Sequence, residues 1–207
     1  MKFLPLMLNI EGKIAVVFGM NNLTEKRVFQ FLDAGATVNV IAYTADTWKN
    51  FTGKEAVEIE QALENAVLCT VHTGNRDLDS FIAAKCRKKG IPCNVIDSTT
   101  GSAIFPACRR SGEIVVSIST SGSVPSLSSF LSDRLIEDIS MFSQGIPVLS
   151  GIRKEIKGDM GTKSRIMRKI ITNSTFWNFI MEGNYREAHK IAKDILNENI
   201  NAIEKTE

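Results

Sequence analysis

No apolar run in this 207-residue chain approaches the ~20 residues a membrane-spanning helix needs, which argues against an integral helical membrane protein. Residues 1–13 hold a short apolar stretch and no small-residue cleavage site, so they read as a first strand and not as a signal peptide. A charge excess of one sign is missing too. Lys and Arg number 25 against 23 Asp and Glu, a net +2, which provides no basic field for DNA or RNA. The positive residues that gather within 154–170 read as the solvated face of a helix. Cysteine is scarce, and Cys69, Cys86, Cys93 and Cys108 form no CxxC pair and have no histidine at ligand spacing. Three of them read as small buried side chains, and the expectation is a reduced, cytoplasmic protein without a metal site. Neither histidine, His72 or His189, has a sequence partner that would make a triad, so both read as structural. There is no internal repeat and no low-complexity linker. With 43% hydrophobic and 23% charged residues, the chain belongs among folded globular proteins.

What is present is alternation. Residues 13–18 are a β-branched apolar run ending at Gly19, followed by a helical pattern over 24–34 that Gly35 stops. Residues 37–42 read as the second strand, and together these make a βαβ unit. Helix over 54–65, strand over 66–71, helix over 77–89 with Gly90 as its stop, and strands over 92–96 and 113–118 continue the series. The fold class that follows is α/β, with a Rossmann-like parallel sheet covered on both faces. Beyond Ser119 the pattern changes. A small polar loop leads into a helix over 127–142, then a turn-rich break over 145–151, and from about Arg153 the chain reads as helix only. In 184–205 the apolar positions Tyr185, Ala188, Ile191, Ile195, Ile200 and Ile203 recur at helical spacing.

A first βα turn that opens a helix is a ready anion site, because the helix end offers free N–H groups and a partial positive charge. Here the turn is Gly19-Met20-Asn21-Asn22-Leu23-Thr24, which keeps one glycine of the usual G-x-G-x-x-G fingerprint. Asparagine tolerates the left-handed backbone, so the turn can still form. After the second strand, Asp46 has two readings, a ribose contact or a turn cap. Tyr43 likewise packs either on an adenine or into the core.

Several segments in order resemble one family. They are Leu4-Pro5-Leu6 with Gly12-Lys13, Leu32-Asp33-Ala34-Gly35-Ala36, Asn94-Val95-Ile96-Asp97, Phe105-Pro106-Ala107, the run 114–125 that contains Ser119-Thr120-Ser121-Gly122, and Phe176-Trp177. This pattern is similar to the precorrin-2 dehydrogenase/sirohydrochlorin ferrochelatase family, the N-terminal module of siroheme synthases and its stand-alone relatives, over nearly the whole chain. The resemblance implies a homodimer that oxidises precorrin-2 to sirohydrochlorin with NAD, with iron insertion in some members. It implies a Rossmann NAD-binding domain over 1–112, a dimerisation segment over 113–150 and a C-terminal helical domain over 151–207. Asp97 takes the family's acid/base position. Asn22, Leu23, Tyr43 and Thr44 align with cofactor contacts, and Gly19, Asn21 and Thr73 complete the candidate cofactor set. Where family members usually carry G-G-G this chain has Gly19-Met20-Asn21, and it has His72-Thr73-Gly74-Asn75 after the third strand.

Oxidation of this kind sends a hydride to a nicotinamide and a proton to a base, so the protein must hold both centres together and supply the base. Asp97 is the expected catalytic residue; its other reading is a cap for the turn at 98–101. Ser119, Thr120, Ser121 and Gly122 form the candidate substrate site, with hydroxyls and amides for the carboxylates of a tetrapyrrole. Their alternative is the N-cap region of the next helix, a task Ser126 could fill. Arg109 and Arg110 either pair with the same carboxylates or are solvated. No metal ligand set is expected. A second functional reading keeps the fold without the redox step, as an NAD-independent sirohydrochlorin chelatase or a tetrapyrrole-binding protein.

Overall fold

A computed structural model describes residues 3–98 and 100–204, with side chains to Glu198 and Asn199. The chain forms two compact units, one reaching to Phe105 and the other running from Pro106 onward, with residues 121–123 grouped with the first.

The first unit is built on a four-stranded parallel sheet in the order β2-β1-β3-β4, from β1 (Ile14–Phe18), β2 (Thr37–Ile41), β3 (Ala66–Val71) and β4 (Cys93–Val95). Three helices connect them: α1 (Asn22–Asp33), α2 (Gly53–Ala62) and α3 (Arg76–Lys89). β1 is apolar without alternation because both of its faces are covered. Ala15 and Val17 join Phe31 and Leu68 in one core, while Val16 and Phe18 join Ile59, Leu78 and Ile82 in another. Burial of a side chain such as Phe18 or Phe31 contributes about 1.5–3 kcal/mol. Gly90 closes α3 in the left-handed conformation, as its position in the sequence indicates.

The second unit opens with an antiparallel hairpin of β5 (Ala107–Ser111) and β6 (Ile114–Ile118), with Ser111 opposite Ile114. It continues through α4 (Pro125–Ile139), a 3₁₀ turn over Ser140–Gly145, α5 (Ile146–Glu155), α6 (Met160–Ile171), α7 (Ser174–Met181) and α8 (Tyr185–Glu204). Ile152, Ile166, Ile170, Phe176, Ile180, Ala188 and Ala192 make its helical core. No helix is long and apolar enough to cross a membrane among the described residues.

Four expectations need correction. The opening segment is not a strand from Phe3 onward, and Leu4, Leu6, Met7 and Leu8 are exposed without a neighbouring strand. The strand near 113–118 is β6 and lies outside the parallel sheet. A parallel partner needs a crossover connection, usually a helix, and among the described residues the chain between β4 and β6 forms no helix, only loop and β5. The two-residue turn Gly112-Glu113, with Gly112 at φ 55°, turns the chain back on itself. A boundary after residue 112 therefore falls inside this hairpin, and the first unit ends at Phe105. The expected break over 145–151 is instead the start of α5. Pro147 sits in the first turn, where its missing N–H costs nothing, and a Cβ on Gly151 would meet open space. In α8 the buried positions are Ala188, Ala192 and Leu196, while Tyr185 is exposed; the side chains of Ile200 and Ile203 lie outside the described residues.

Candidate functional site

The carboxyl edge of the parallel sheet collects most of the candidate residues. Loops leave it after β1 (Gly19 to Asn21), after β2 (Tyr43, Thr44), after β3 (Thr73) and after β4 (Asp97). The strand order reverses between β1 and β3, which is where open α/β sheets bind ligands. Backbone hydrogen bonds fix this edge: the amide of Gly19 donates to Ile41 O at 2.9 Å and that of His72 to Phe18 O at 2.9 Å. Gly19, at φ 108°, approaches β3 so closely that a Cβ would lie 2.0 Å from the carbonyl oxygen of His72. The single retained glycine is therefore required by strand packing.

Asn21 is the N-cap of α1, which starts two residues earlier than the periodicity indicates. Its Oδ1 accepts from the amides of Leu23 and Thr24, and its own amide donates to Thr24 Oγ1. Its Nδ2 donates to His72 O at 2.9 Å and ties the first turn to the end of β3. Asn22 is exposed, and Met20 and Leu23 make an exposed apolar lip beside it. Tyr43 does not lie open at the edge. Its ring packs near Phe18, 5.9 Å between centroids, and its hydroxyl donates to Glu58 at 2.5 Å. Burial first, then the Glu58 carboxylate, raises the Tyr43 pKa well above the usual value. Thr44 is exposed, and its amide donates to Thr47 Oγ1. Asp46 is paired with Lys49 on the surface. Thr73 is buried, and both its amide and its hydroxyl donate to the buried carboxylate of Asp79, which holds the β3–α3 turn. Its side chain is thus committed to the fold.

Asp97 follows β4 in the left-handed conformation at φ 57°, a strained position for a residue with a Cβ. Its side chain is exposed, and among the described residues its carboxylate has no hydrogen-bond partner. The capping role falls to Ser98, whose Oγ accepts from the amide of Thr100; Thr99 lies outside the described residues. Three non-glycine residues have positive φ in the described chain, and two of them, Asp97 and Ser121, belong to candidate segments.

A polar strip that sequence reasoning missed leads to this edge. Thr70 and Asn94 are register partners on β3 and β4, and His72 continues the same alternation. The Thr70 hydroxyl, His72 Nδ1 and Asn94 Oδ1 are buried and lack hydrogen-bond partners among the described residues. The available signal was a polar residue inside each apolar strand pattern.

In the second unit Thr120, not Ser126, serves the start of α4. Its Oγ1 accepts from the amide of Val124 at 2.9 Å and from Ser128 Oγ at 3.3 Å. The N-cap position itself is Val124, followed by Pro125 in the first turn. Ser119 and Ser121 are exposed but not without partners, and Gly122 has φ 87°. Arg109 is engaged with Asp133 and with Ser129 Oγ, so its guanidinium is tied to α4.

The residues at the sheet edge fit a dinucleotide. Gly19 lets the first turn pack tightly, α1 begins beside it, and His72 at the end of β3 has a buried Nδ1 without a hydrogen-bond partner among the described residues. Comparison with known proteins agrees. Residues 6–107 match a family described as NAD(P)-binding. The chain is 24% identical over 205 residues to the precorrin-2 dehydrogenase of Methanosarcina barkeri, covering 91% of each chain. It is 26% identical over 211 residues to the siroheme synthase of Blochmanniella floridana, covering 96% of this chain and 46% of that one. It thus spans about half the length of the siroheme synthases it matches. A solved structure titled "SirC, precorrin-2 dehydrogenase" shares the fold at a TM-score of 0.67, with 21% identity over 93% of this chain and 100% of that one. The chain is thus similar to precorrin-2 dehydrogenases and siroheme synthases over nearly its whole length, with the NAD(P)-binding match lying over residues 6–107.

Proposed function

We propose that this protein is a cytoplasmic, NAD-dependent precorrin-2 dehydrogenase that forms sirohydrochlorin for sirohaem synthesis. One observation carries the reading: Asp97 stands left-handed at the carboxyl edge of β4, its carboxylate unengaged among the described residues, on the sheet edge of an NAD(P)-binding domain. A left-handed residue at the carboxyl edge of a parallel sheet, where such folds bind ligands, supports a functional role.

When bound, NAD supplies the hydride acceptor. The turn from Gly19 to Leu23, with the exposed side chains of Met20 and Leu23, would hold it, and Tyr43 and Thr44 after β2 would border it. Asp97 receives, at a carboxylate oxygen, the proton that leaves the substrate as its hydride departs. Ser119, Thr120, Ser121 and Gly122 offer hydroxyl and amide donors for the substrate's carboxylates. The buried polar strip of Thr70, His72 and Asn94 supplies further fixed dipoles.

A second reading, iron insertion without NAD, is favoured by the Asn21 cap, which engages the Leu23 and Thr24 amides that a pyrophosphate would use. Calorimetric titration with NAD separates the two. Binding in the micromolar range supports the dehydrogenase, and no binding at millimolar NAD moves the function to chelation or carriage of the tetrapyrrole.

The working form is a homodimer. Supporting this, α4 has its polarity reversed: Ser128 and Ser132 are buried, while Leu127, Phe130, Leu131 and Leu135 are exposed along one stripe. A second copy covers that stripe.

A further inference from the structure

Cys69, Cys86 and Cys93 come from three elements and meet in the core of the first unit. Cys69 on β3 and Cys93 on β4 are register partners, and Cys86 on α3 packs onto them. Their three sulfur atoms all lie within 4.8 Å of one another. Metal–thiolate bonds of about 2.3 Å from a single centre hold three sulfurs about 3.5 Å apart when the centre is pyramidal and about 4 Å when it is planar, so the thiols need only a modest contraction to share one ion. All three are free and buried. They also interact: S–H groups of Cys69 and Cys93 bond toward Cys86 and lower its pKa, while burial raises that of Cys69.

We infer that Cys69, Cys86 and Cys93 form a preassembled three-sulfur site for a soft, thiophilic ion, and that arsenic(III) is the ion whose charge suits it. Thiolates select soft ions. The cysteines lie in an apolar core with Val71, Ile82 and Val95 among others, so a complex with net charge there is costly. Three thiolates on a divalent ion leave one negative charge, and the carboxylate of Asp79, which already acts on Cys93, adds to the repulsion. Three thiolates on arsenic(III) leave none. In the reaction arsenous acid exchanges its three hydroxyls for three thiolates. Three As–O bonds break, three As–S bonds form, each thiol proton leaves in a water molecule, and no oxidation state changes. Entry requires α3 to lift from the sheet, so uptake is slow and is speeded by mild denaturant.

The test uses the full chain carrying Cys108→Ser, which removes the exposed thiol, with arsenite and a phosphine reductant. The expected result is one arsenic per folded chain by non-denaturing mass spectrometry, three thiols lost to a thiol reagent, and a raised thermal midpoint. Cys86→Ala in that background weakens binding about a hundredfold, because two sulfurs no longer act together with a third. Three results overturn the inference: no arsenic on the folded chain, a lowered midpoint that marks capture of the unfolded chain, or unchanged affinity in Cys86→Ala. Should Cys86→Ala not fold, the stoichiometry and the midpoint of the Cys108→Ser chain decide alone. Three cysteines that serve only as small core residues give the first or second of these results.

Discussion

The carbonyl oxygen of His72 accepts a 2.9 Å hydrogen bond from Nδ2 of Asn21, so the turn that opens α1 is latched to the end of β3. The same side chain caps the helix through Oδ1, and the two functions separate by substitution. Asn21→Ala removes both and lowers stability by about 1 kcal/mol, read as a drop of roughly 2–4 °C in thermal midpoint. Asn21→Asp keeps the cap, so most of that stability returns. It loses the donor to His72, however, and sets a negative charge where a pyrophosphate would lie, which weakens NAD binding about tenfold or more. Equal NAD affinity in Asn21→Asp and the parent would show that the turn does not hold the cofactor.

Gly19→Ala is expected to be far more damaging than a surface change. The new Cβ would fall 2.0 Å from the His72 carbonyl oxygen at a backbone φ of 108°. Either the strand end or the turn must shift, at a cost of about 3 kcal/mol or more. Thermal unfolding measures it, and a midpoint equal to the parent's would mean that β1 and β3 do not approach as described.

Tyr43 makes stability fall in alkali. Its pKa is raised in the folded state by burial and by Glu58, so the folded chain holds the phenol proton more tightly than the unfolded one. The resulting stability is complete below the ordinary tyrosine value near 10 and is lost as pH climbs from there toward the higher folded value. Denaturant unfolding between pH 8 and about 11 should show this decline. Tyr43→Phe should make it shallower while leaving neutral-pH stability nearly intact, because Glu58 is exposed. An unchanged slope in Tyr43→Phe would assign the decline to other groups.

Phe130 is 65% exposed at the centre of the α4 stripe. Phe130→Asp should weaken the homodimer by about 2 kcal/mol or more, as loss of a central aromatic anchor does. Sedimentation equilibrium reads the change. A parent chain that is monomeric at all concentrations would remove the dimer from the account.

The parallel half of the fold was readable because its sheet is covered on both faces. β1 then appears as an unbroken apolar run and β3 as one interrupted only by Thr70, and α1 and α3 as 3.6-residue patterns ended by Gly35 and Gly90. The hairpin was half hidden. β5 contains Arg109 and Arg110, and its pairing with β6 depends on the turn at Gly112 more than on any apolar alternation. The start of α4 misled for a related reason, since Thr120, four residues before Val124, does the work assigned to Ser126. Within the site, Gly19 was legible from its place at the end of β1, whereas Asp97 was singled out by the resemblance, its position alone being equally suited to a turn cap. The inward turn of Tyr43 toward Glu58 and the commitment of Thr73 to Asp79 depend on partners on neighbouring helices, which strand-end position does not reveal. The three-sulfur cluster was invisible because residues 69, 86 and 93 follow no ligand spacing and meet only when α3 packs on the sheet.

If Asp97 takes the proton and NAD at the sheet edge takes the hydride, as proposed, sirohydrochlorin forms only when both are present. The most direct test follows sirohydrochlorin formation by absorbance under anaerobic conditions, with and without NAD, for the parent chain and for Asp97→Asn. Product is expected only with NAD, with a fall of about a hundredfold or more in Asp97→Asn at unchanged thermal midpoint and unchanged NAD affinity. Product formed at the parent rate by Asp97→Asn, or no product from the parent chain with NAD present, would contradict the proposal.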